Sequence, residues 1–208
     1  MRTFVHHAFR VLVLTVLLTG AVRAQDDFAR ARTLYNQYRF QEALPLFQKF
    51  VREHPRHVMG RYYLAMCHIR LRHWQAAMRE IDRVLEQRPG MIQAHAARIF
   101  VLVARRQLEA AEEALTEARK RAPQHVDLDF AEGVLYSYRN DYTRAIEMFQ
   151  RVLQRRPRDA YAHYYKGMCH YYIKQYDLAI ESFETFLELA PNAPEAPQVR
   201  ELLQRLQG

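Results

Sequence analysis

Small and bulky apolar residues recur along the chain with a period of 34 residues. An alanine occurs once in each period, a large apolar residue follows it four positions later, and a proline follows it twelve positions later. Residues i and i+4 lie on one face of an α-helix, and a proline cannot extend a helix because it lacks the amide proton. The pattern therefore predicts five helices, each of which buries one face and ends at a proline. The alanines are Ala43, Ala77, Ala111, Ala145 and Ala179; the large residues are Phe47, Ile81, Leu115, Phe149 and Phe183; the prolines are Pro55, Pro89, Pro123, Pro157 and Pro191.

Each period has room for a second helix before the alanine. A repeat of 34 residues with this pattern is typical of stacked helix–turn–helix units. We number the residues of each unit from 1 to 34, with units that begin near residues 24, 58, 92, 126 and 160. An apolar residue at position 17 of each unit is predicted to pack at the turn between the two helices. These residues are Phe40, Trp74, Leu108, Tyr142 and Tyr176. The sequence thus predicts an all-α fold.

Small residues at position 8 complete the pattern at Ala31, Ala65, Gly133 and Gly167, with Ile99 as an exception. With the alanine, the bulky residue and the proline, they make the chain resemble the tetratricopeptide repeat (TPR) family. The resemblance implies a right-handed superhelical solenoid of five repeats over residues 25–193, with units near residues 24–57, 58–91, 92–125, 126–159 and 160–193. The chain departs from the family at position 15, usually a glycine, where it carries Tyr38, Arg72, Arg106, Asn140 and Lys174.

The last unit of a solenoid leaves an apolar surface that must be covered. Residues 194–208 are predicted to form a capping helix, because four apolar residues follow the spacing i, i+3, i+4, i+7. These are Val199, Leu202, Leu203 and Leu206.

The first 24 residues have the pattern of a secretory signal peptide. Arg2 and Arg10 supply positive charge, an apolar run extends from Val11 to Leu18, and short residues precede a cut predicted after Ala24. We therefore expect a periplasmic or secreted protein. The apolar run is too short to span a bilayer, so no integral membrane span is expected.

The basic balance of the chain does not by itself indicate a nucleic acid partner. The formal net charge is +8, and removal of Arg2, Arg10 and Arg23 with the signal would lower it to +5. The remaining basic residues are interleaved with acidic residues, which is typical of solvated helix surfaces. We expect no nucleic acid binding.

Both cysteines lie in similar stretches, "YYLAMCH" at 62–68 and "YYKGMCH" at 164–170. Cys67 and Cys169 are three repeats apart at the same repeat position. Helices packed about 8–10 Å apart would separate them by roughly 25–30 Å, whereas a disulfide needs Cα atoms within about 7 Å. We predict two buried structural thiols, with a metal bridged to another chain as the alternative. No motif of a catalytic centre is present, and we expect no enzyme activity, cofactor or bound metal.

The resemblance implies that positions 2, 5, 9, 12 and 13 of each first helix face a concave groove. Position 7 carries Arg98, Glu132 and Lys166 in successive units, which predicts a ladder of alternating charges. The alternative for any groove residue is that it packs between adjacent first helices. Tyrosine and methionine are frequent at the groove positions and suit adaptable protein contacts. The predicted partner-binding residues are Tyr62, Met66, Phe130, Tyr138, Tyr161, Tyr164, Met168, Tyr171 and Tyr172.

The Lys and Asn clamp with which some members of the family hold a C-terminal carboxylate is absent. The functional hypothesis is a non-catalytic protein- or peptide-binding scaffold, similar to small exported TPR proteins of Gram-negative envelopes. Its partners would be proteins or peptides, through association with envelope complexes or homo-oligomers. The alternative is a carbohydrate-binding or enzyme-accessory module, since tyrosines also stack on sugar rings.

Overall fold

A computed structural model describes residues 26–208, which form eleven α-helices. The predicted signal peptide and its cut after Ala24 lie outside these residues. The all-α solenoid predicted from the period is confirmed for the described part of the chain. The helices are α1 (26–36), α2 (Phe40–Glu53), α3 (Val58–Arg70), α4 (Trp74–Gln87), α5 (Ile92–Ala104), α6 (Leu108–Arg121), α7 (Val126–Tyr138), α8 (Tyr142–Arg155), α9 (Ala160–Tyr172), α10 (Tyr176–Leu189) and α11 (Ala196–Gln207).

The helices stack in pairs. α3 packs on α4, α5 on α6, α7 on α8 and α9 on α10, and each pair contacts the next. The first helices of successive units also contact one another, from α3 to α5, α7 and α9. They form one continuous layer, and the second helices form the other.

The small residues allow the two helices of a unit to approach closely. The alanine at position 20 is fully buried in every unit. A Cβ atom added to Gly133 would lie 2.8 Å from Cε1 of Phe149, and one added to Gly167 would lie 2.7 Å from Cε1 of Phe183. Both phenylalanines are fully buried. The pattern of small and bulky residues is therefore the packing interface within each unit.

The turns inside the units explain how the first helices end without glycine. The position-15 residue of every unit adopts a left-handed conformation with φ between 59° and 62°. The next residue donates its amide to the carbonyl five positions earlier, as His73 does to His68 at 2.8 Å. This is the Schellman arrangement, which satisfies the last carbonyls of a helix. In each of the five units, a residue with a side chain thus adopts the left-handed backbone conformation that glycine would adopt with the least strain.

α11 covers the end of the last unit by packing on α10. Val199 and Leu203 are buried in this contact, and Leu202 and Leu206 are partly buried. The first three belong to the cluster that surrounds Phe183 and Phe186. The apolar stripe of this helix therefore faces the solenoid.

The predicted charge ladder at position 7 is wrong. Glu132 accepts a hydrogen bond from Arg119 on α6 at 2.6 Å, and Arg98 pairs with Asp82 on α4 at 3.1 Å. Arg119 also pairs with Asp129 at 2.6 Å. Side chains from the second helix of the preceding unit reach these positions, so the ion pairs join the two layers.

Cys67 and Cys169 are free, and both are buried among apolar side chains. Burial raises the pKa of each thiol to about 12. They act as small core residues, as predicted. Within residues 26–208, no three side chains of histidine, cysteine, aspartate or glutamate are placed to hold a metal ion.

Candidate partner-binding groove

The first-helix layer contains a cavity of about 210 Å³, here called the first cavity. Side chains from α3, α5, α7 and α9 line it. Five of its thirteen lining residues are aromatic or methionine, and four of these five are predicted partner-binding residues. These four are Tyr62, Met66, Phe130 and Tyr161.

Phe130 and Tyr161 also take part in packing, as the alternative for groove residues allowed. The Phe130 ring lies 5.7 Å from both Phe149 and Tyr165. Tyr161 is only 6% exposed and its ring contacts Phe186 at 6.1 Å. These two residues shape the cavity and stabilise the core together.

Arg70 closes the groove beside Tyr161. The guanidinium carbon of Arg70 lies 3.6 Å from the centre of the Tyr161 ring. The Tyr161 hydroxyl donates a hydrogen bond to Glu195 at 3.0 Å, and its ring lies 6.3 Å from that of Tyr38 in the first unit. Side chains of the first, second and fifth units therefore meet across the concave face.

A second cavity of about 280 Å³ adjoins the first. Four other predicted residues line it, namely Tyr138, Tyr164, Met168 and Tyr172. The Tyr164 ring lies 6.4 Å from the Tyr161 ring of the first cavity, so the two cavities share a wall. Tyr172 stacks on Tyr142 at 5.0 Å and remains 55% exposed.

Tyr171 lies apart from both cavities. Its ring contacts Tyr176 at 6.0 Å, at the start of α10, and its side chain packs against the last apolar cluster. Adjacent residues on a helix point about 100° apart, so Tyr171 and Tyr172 face different neighbours. The structure divides the aromatic residues of units four and five between two cavities and this outer contact.

Three groove tyrosines, Tyr62, Tyr161 and Tyr164, are neutral at neutral pH, and burial raises their pKa values above the ordinary value of about 10. Burial raises the pKa of the Tyr164 hydroxyl to about 12 and raises the pKa values of Tyr62 and Tyr161 further. Their hydroxyl groups therefore donate and accept hydrogen bonds at neutral pH without carrying charge.

The acidic side chains at the groove are partly satisfied. Asp127 pairs with Arg156 at 2.6 Å, whereas its other oxygen lies 3.5 Å from His125 and is buried without a hydrogen-bond partner among the described residues. Asp159 caps α9 by accepting a hydrogen bond from the Ala162 amide at 3.1 Å. Arg156 and Asp159 also line the first cavity. Sequence reasoning missed both residues, although an aspartate directly before a helix start is a recognised capping signal.

Three arginines at the groove have no acidic partner. Within residues 26–208, Arg70, Arg72 and Arg106 form no ion pair, and Nε of Arg70 is buried without a hydrogen-bond partner. Arg106 lies 4.7 Å from the Tyr138 ring. Arg72 and Arg106 line the second cavity. The groove therefore combines aromatic walls with unpaired positive charge.

Two family models described as tetratricopeptide repeat match the chain, one over residues 28–92 and the other over residues 133–204. The chain belongs to the tetratricopeptide repeat family. TPR domains generally mediate protein–protein interactions as scaffolds, and TPR proteins are typically non-catalytic. Comparison with curated protein sequences finds no match. Among the described residues, every helix is too short or too polar to traverse a bilayer.

Several solved structures resemble the fold. The thermophilic TPR protein TTC0263 of Thermus thermophilus superposes with a TM-score of 0.70 and 18% identity, over 88% of this chain and 98% of that one. A chain of the APC/C hetero-tetramer Cut9–Hcn1 gives a TM-score of 0.69 and 17% identity, over 88% of this chain and 36% of that one. A TPR protein from Parabacteroides merdae gives a TM-score of 0.61 and 14% identity, over 89% of this chain and 84% of that one. Identities this low establish the shared fold alone.

Proposed function

We propose that the protein is a scaffold or adaptor of the bacterial cell envelope that binds partner proteins in its aromatic-rich concave groove. The observation that carries this proposal is the pair of adjoining cavities in the first-helix layer, lined by aromatic side chains from successive units. Interfaces draw most of their binding energy from a few desolvated aromatic and arginine side chains. The groove supplies both types.

The size of the cavities indicates how a partner would bind. Volumes of about 210 and 280 Å³ are smaller than most pockets for drug-sized ligands, which start at about 300 Å³. They suit individual side chains that project from a partner segment lying across the groove. Met66 and Met168, one in each cavity, can adapt to different side-chain shapes because methionine is flexible.

The assignment to the envelope rests on the first 24 residues, in which positive charge, an apolar run and short residues before the cut occur in the order of a signal peptide. Expression of the full chain in a Gram-negative host, followed by fractionation and intact-mass measurement, tests it. A periplasmic product that begins at Gln25 is expected. A product that retains Met1 and stays in the cytoplasm would contradict the envelope role.

The groove itself is tested by capture of partners from an envelope extract. The double variant Tyr138→Ala/Tyr172→Ala removes two rings of the second cavity, and we expect at least tenfold weaker capture, about 1.4 kcal/mol. The matched control is Tyr176→Ala/Leu178→Ala, because these exposed residues do not line either cavity. Circular dichroism must show that both variants are folded. Equally weakened partner capture in the groove variant and the control variant, or unchanged capture in the groove variant, would contradict the proposal.

Carbohydrate binding is the second candidate function. The observation that favours it is the stacked pair of Tyr142 and Tyr172, because the exposed Tyr172 ring could stack on a sugar. A glycan array with the wild-type protein and Tyr172→Ala distinguishes the two functions. A glycan signal that depends on Tyr172, with no protein captured, would favour this candidate.

A further inference from the structure

We infer that the groove recognises an acidic segment of a partner protein, in which side-chain carboxylates pair with Arg70, Arg72 and Arg106 and neighbouring aromatic side chains enter the two cavities. This inference rests on the proposed protein-binding function and specifies the chemistry of the partner. The C-terminal carboxylate of the partner has no part in it.

Arg70 supplies the first argument. Its guanidinium carbon lies against the Tyr161 ring, but its buried Nε atom lacks a hydrogen-bond partner within the described residues. A buried polar group is destabilising unless it is hydrogen-bonded. A carboxylate entering the first cavity could satisfy this donor, and guanidinium–carboxylate pairing is strong and directional.

The positions of Arg72 and Arg106 supply the second argument. They occupy the turns that end the first helices of units two and three, where the backbone holds both side chains at the same cavity. Both side chains line the second cavity and neither forms an ion pair within the described residues; the carboxylate that also lines this cavity, Glu195, accepts the Tyr161 hydroxyl hydrogen bond.

The acidic residues near the groove neutralise only part of this charge. Four arginines and three carboxylates line the two cavities, so the lining carries one net positive charge. Asp127 is paired with Arg156, Asp159 caps α9, and Glu195 accepts the Tyr161 hydroxyl hydrogen bond, which leaves Arg70, Arg72 and Arg106 as the cations without an ion-pair partner among the described residues. The placement of these cations beside aromatic walls fits a segment that alternates carboxylate and aromatic side chains.

A peptide of alternating glutamate and phenylalanine, acetylated and amidated at its ends, is the probe. Its counterparts replace every glutamate by glutamine or every phenylalanine by alanine. Fluorescence anisotropy with labelled peptides measures binding to the mature protein. We expect the glutamine and alanine peptides to bind at least tenfold more weakly than the parent peptide. Added salt should weaken the binding of both glutamate-containing peptides and leave the glutamine peptide unchanged.

The variant Arg72→Gln/Arg106→Gln tests the arginines without touching buried residues, and Arg70→Gln tests the buried one if its thermal melt shows a folded protein. Each variant should reduce the preference for glutamate over glutamine at least fivefold. The control Arg79→Gln/Arg88→Gln removes the same charge from a surface outside both cavities and should preserve the preference. Capture from the envelope extract should fall in parallel with the peptide affinity.

Three outcomes would overturn the inference. One is equal binding of the glutamate and glutamine peptides, and another is an unchanged preference in the Arg72→Gln/Arg106→Gln variant. The third is binding of anionic lipid vesicles that depends on these arginines while the peptides are not distinguished. If envelope partners still depend on Tyr138 and Tyr172 but not on the arginines, the inference fails while the proposed scaffold function stands.

Discussion

Arg70 and Tyr161 contact each other across the concave face, although 91 residues separate them in sequence and they belong to the second and fifth repeats. The contact is a cation–π interaction with 3.6 Å between the guanidinium carbon and the ring centre. Both side chains line the first cavity.

A double-mutant cycle measures this contact. Arg70→Met and Tyr161→Leu keep apolar volume but remove the cation and the ring in turn. We expect a coupling free energy of about 0.5–2 kcal/mol from urea unfolding of the single and double variants. Strictly additive effects would show that the two side chains do not stabilise each other.

The left-handed turns predict a stabilising substitution. Lys174→Gly relieves a backbone strain of about 1–2 kcal/mol, partly offset by the greater flexibility of glycine in the unfolded chain. We expect a net gain of about 0.5–1 kcal/mol in the free energy of unfolding. Asn140→Gly is the comparison and should gain less or lose stability, because asparagine tolerates this conformation and its Oδ1 accepts a hydrogen bond from Tyr142 at 2.8 Å. A loss of stability in Lys174→Gly would contradict the strain argument.

The packing of α9 on α10 predicts two destabilising changes. Phe183→Ala removes a fully buried ring and should cost about 3–5 kcal/mol. Gly167→Ala places a Cβ atom 2.7 Å from Phe183 and should cost about 1–3 kcal/mol. Urea denaturation measures both.

Trp74 gives the comparison for that experiment. It is partly buried at the first position of α4, where it contacts Phe100 at 6.4 Å. Trp74→Ala should therefore cost less than Phe149→Ala or Phe183→Ala, both of which remove fully buried rings. A larger decrease in the free energy of unfolding for Trp74→Ala than for the phenylalanine variants would show that Trp74 belongs to the core and not only to the turn.

Two buried histidines predict a loss of stability in mild acid. Burial lowers the pKa values of His68 and His170. The unfolded chain therefore binds protons more readily than the folded protein, so stability rises with pH in this range. The contribution is fully present above the unfolded histidine pKa, about 6.5, and is lost as pH falls through the folded values.

The variant His68→Gln/His170→Gln isolates this effect. His68 faces His73 at 3.4 Å, with Glu80 and Arg79 nearby, so its charge state affects several neighbours. The free energy of unfolding of the variant should depend less on pH between about 7 and 5 than that of the wild type. Equal slopes for the two proteins would contradict the prediction.

The period of the sequence predicted the helices well because the signals are local. Each second helix ends two residues before its proline, as α4 ends at Gln87 before Pro89. The groove positions implied by the family resemblance include every residue that lines the first cavity except Ala97, Arg156 and Asp159. Repeat position is therefore a good guide to the first cavity, but less so to the second, which Tyr165 and Cys169 line from other repeat positions.

The closure of the groove could not be predicted in this way. Its width depends on small packing angles between units that accumulate along the solenoid, and no single position determines them. The contact between Arg70 and Tyr161 is one consequence of this accumulation. The predicted charge ladder was wrong for a related reason. The repeat position of Glu132 does not determine whether a side chain from the preceding unit, here Arg119, is long enough to pair with it.

The contacts of Tyr161 with Tyr38 and Arg70 change how the protein should unfold. In an open solenoid each repeat contacts only its neighbours, so an end can fray while the rest stays folded. Here the loss of the last repeat also removes contacts from the first and second repeats. The two ends therefore stabilise each other, and the chain should unfold with the cooperativity of a closed ring.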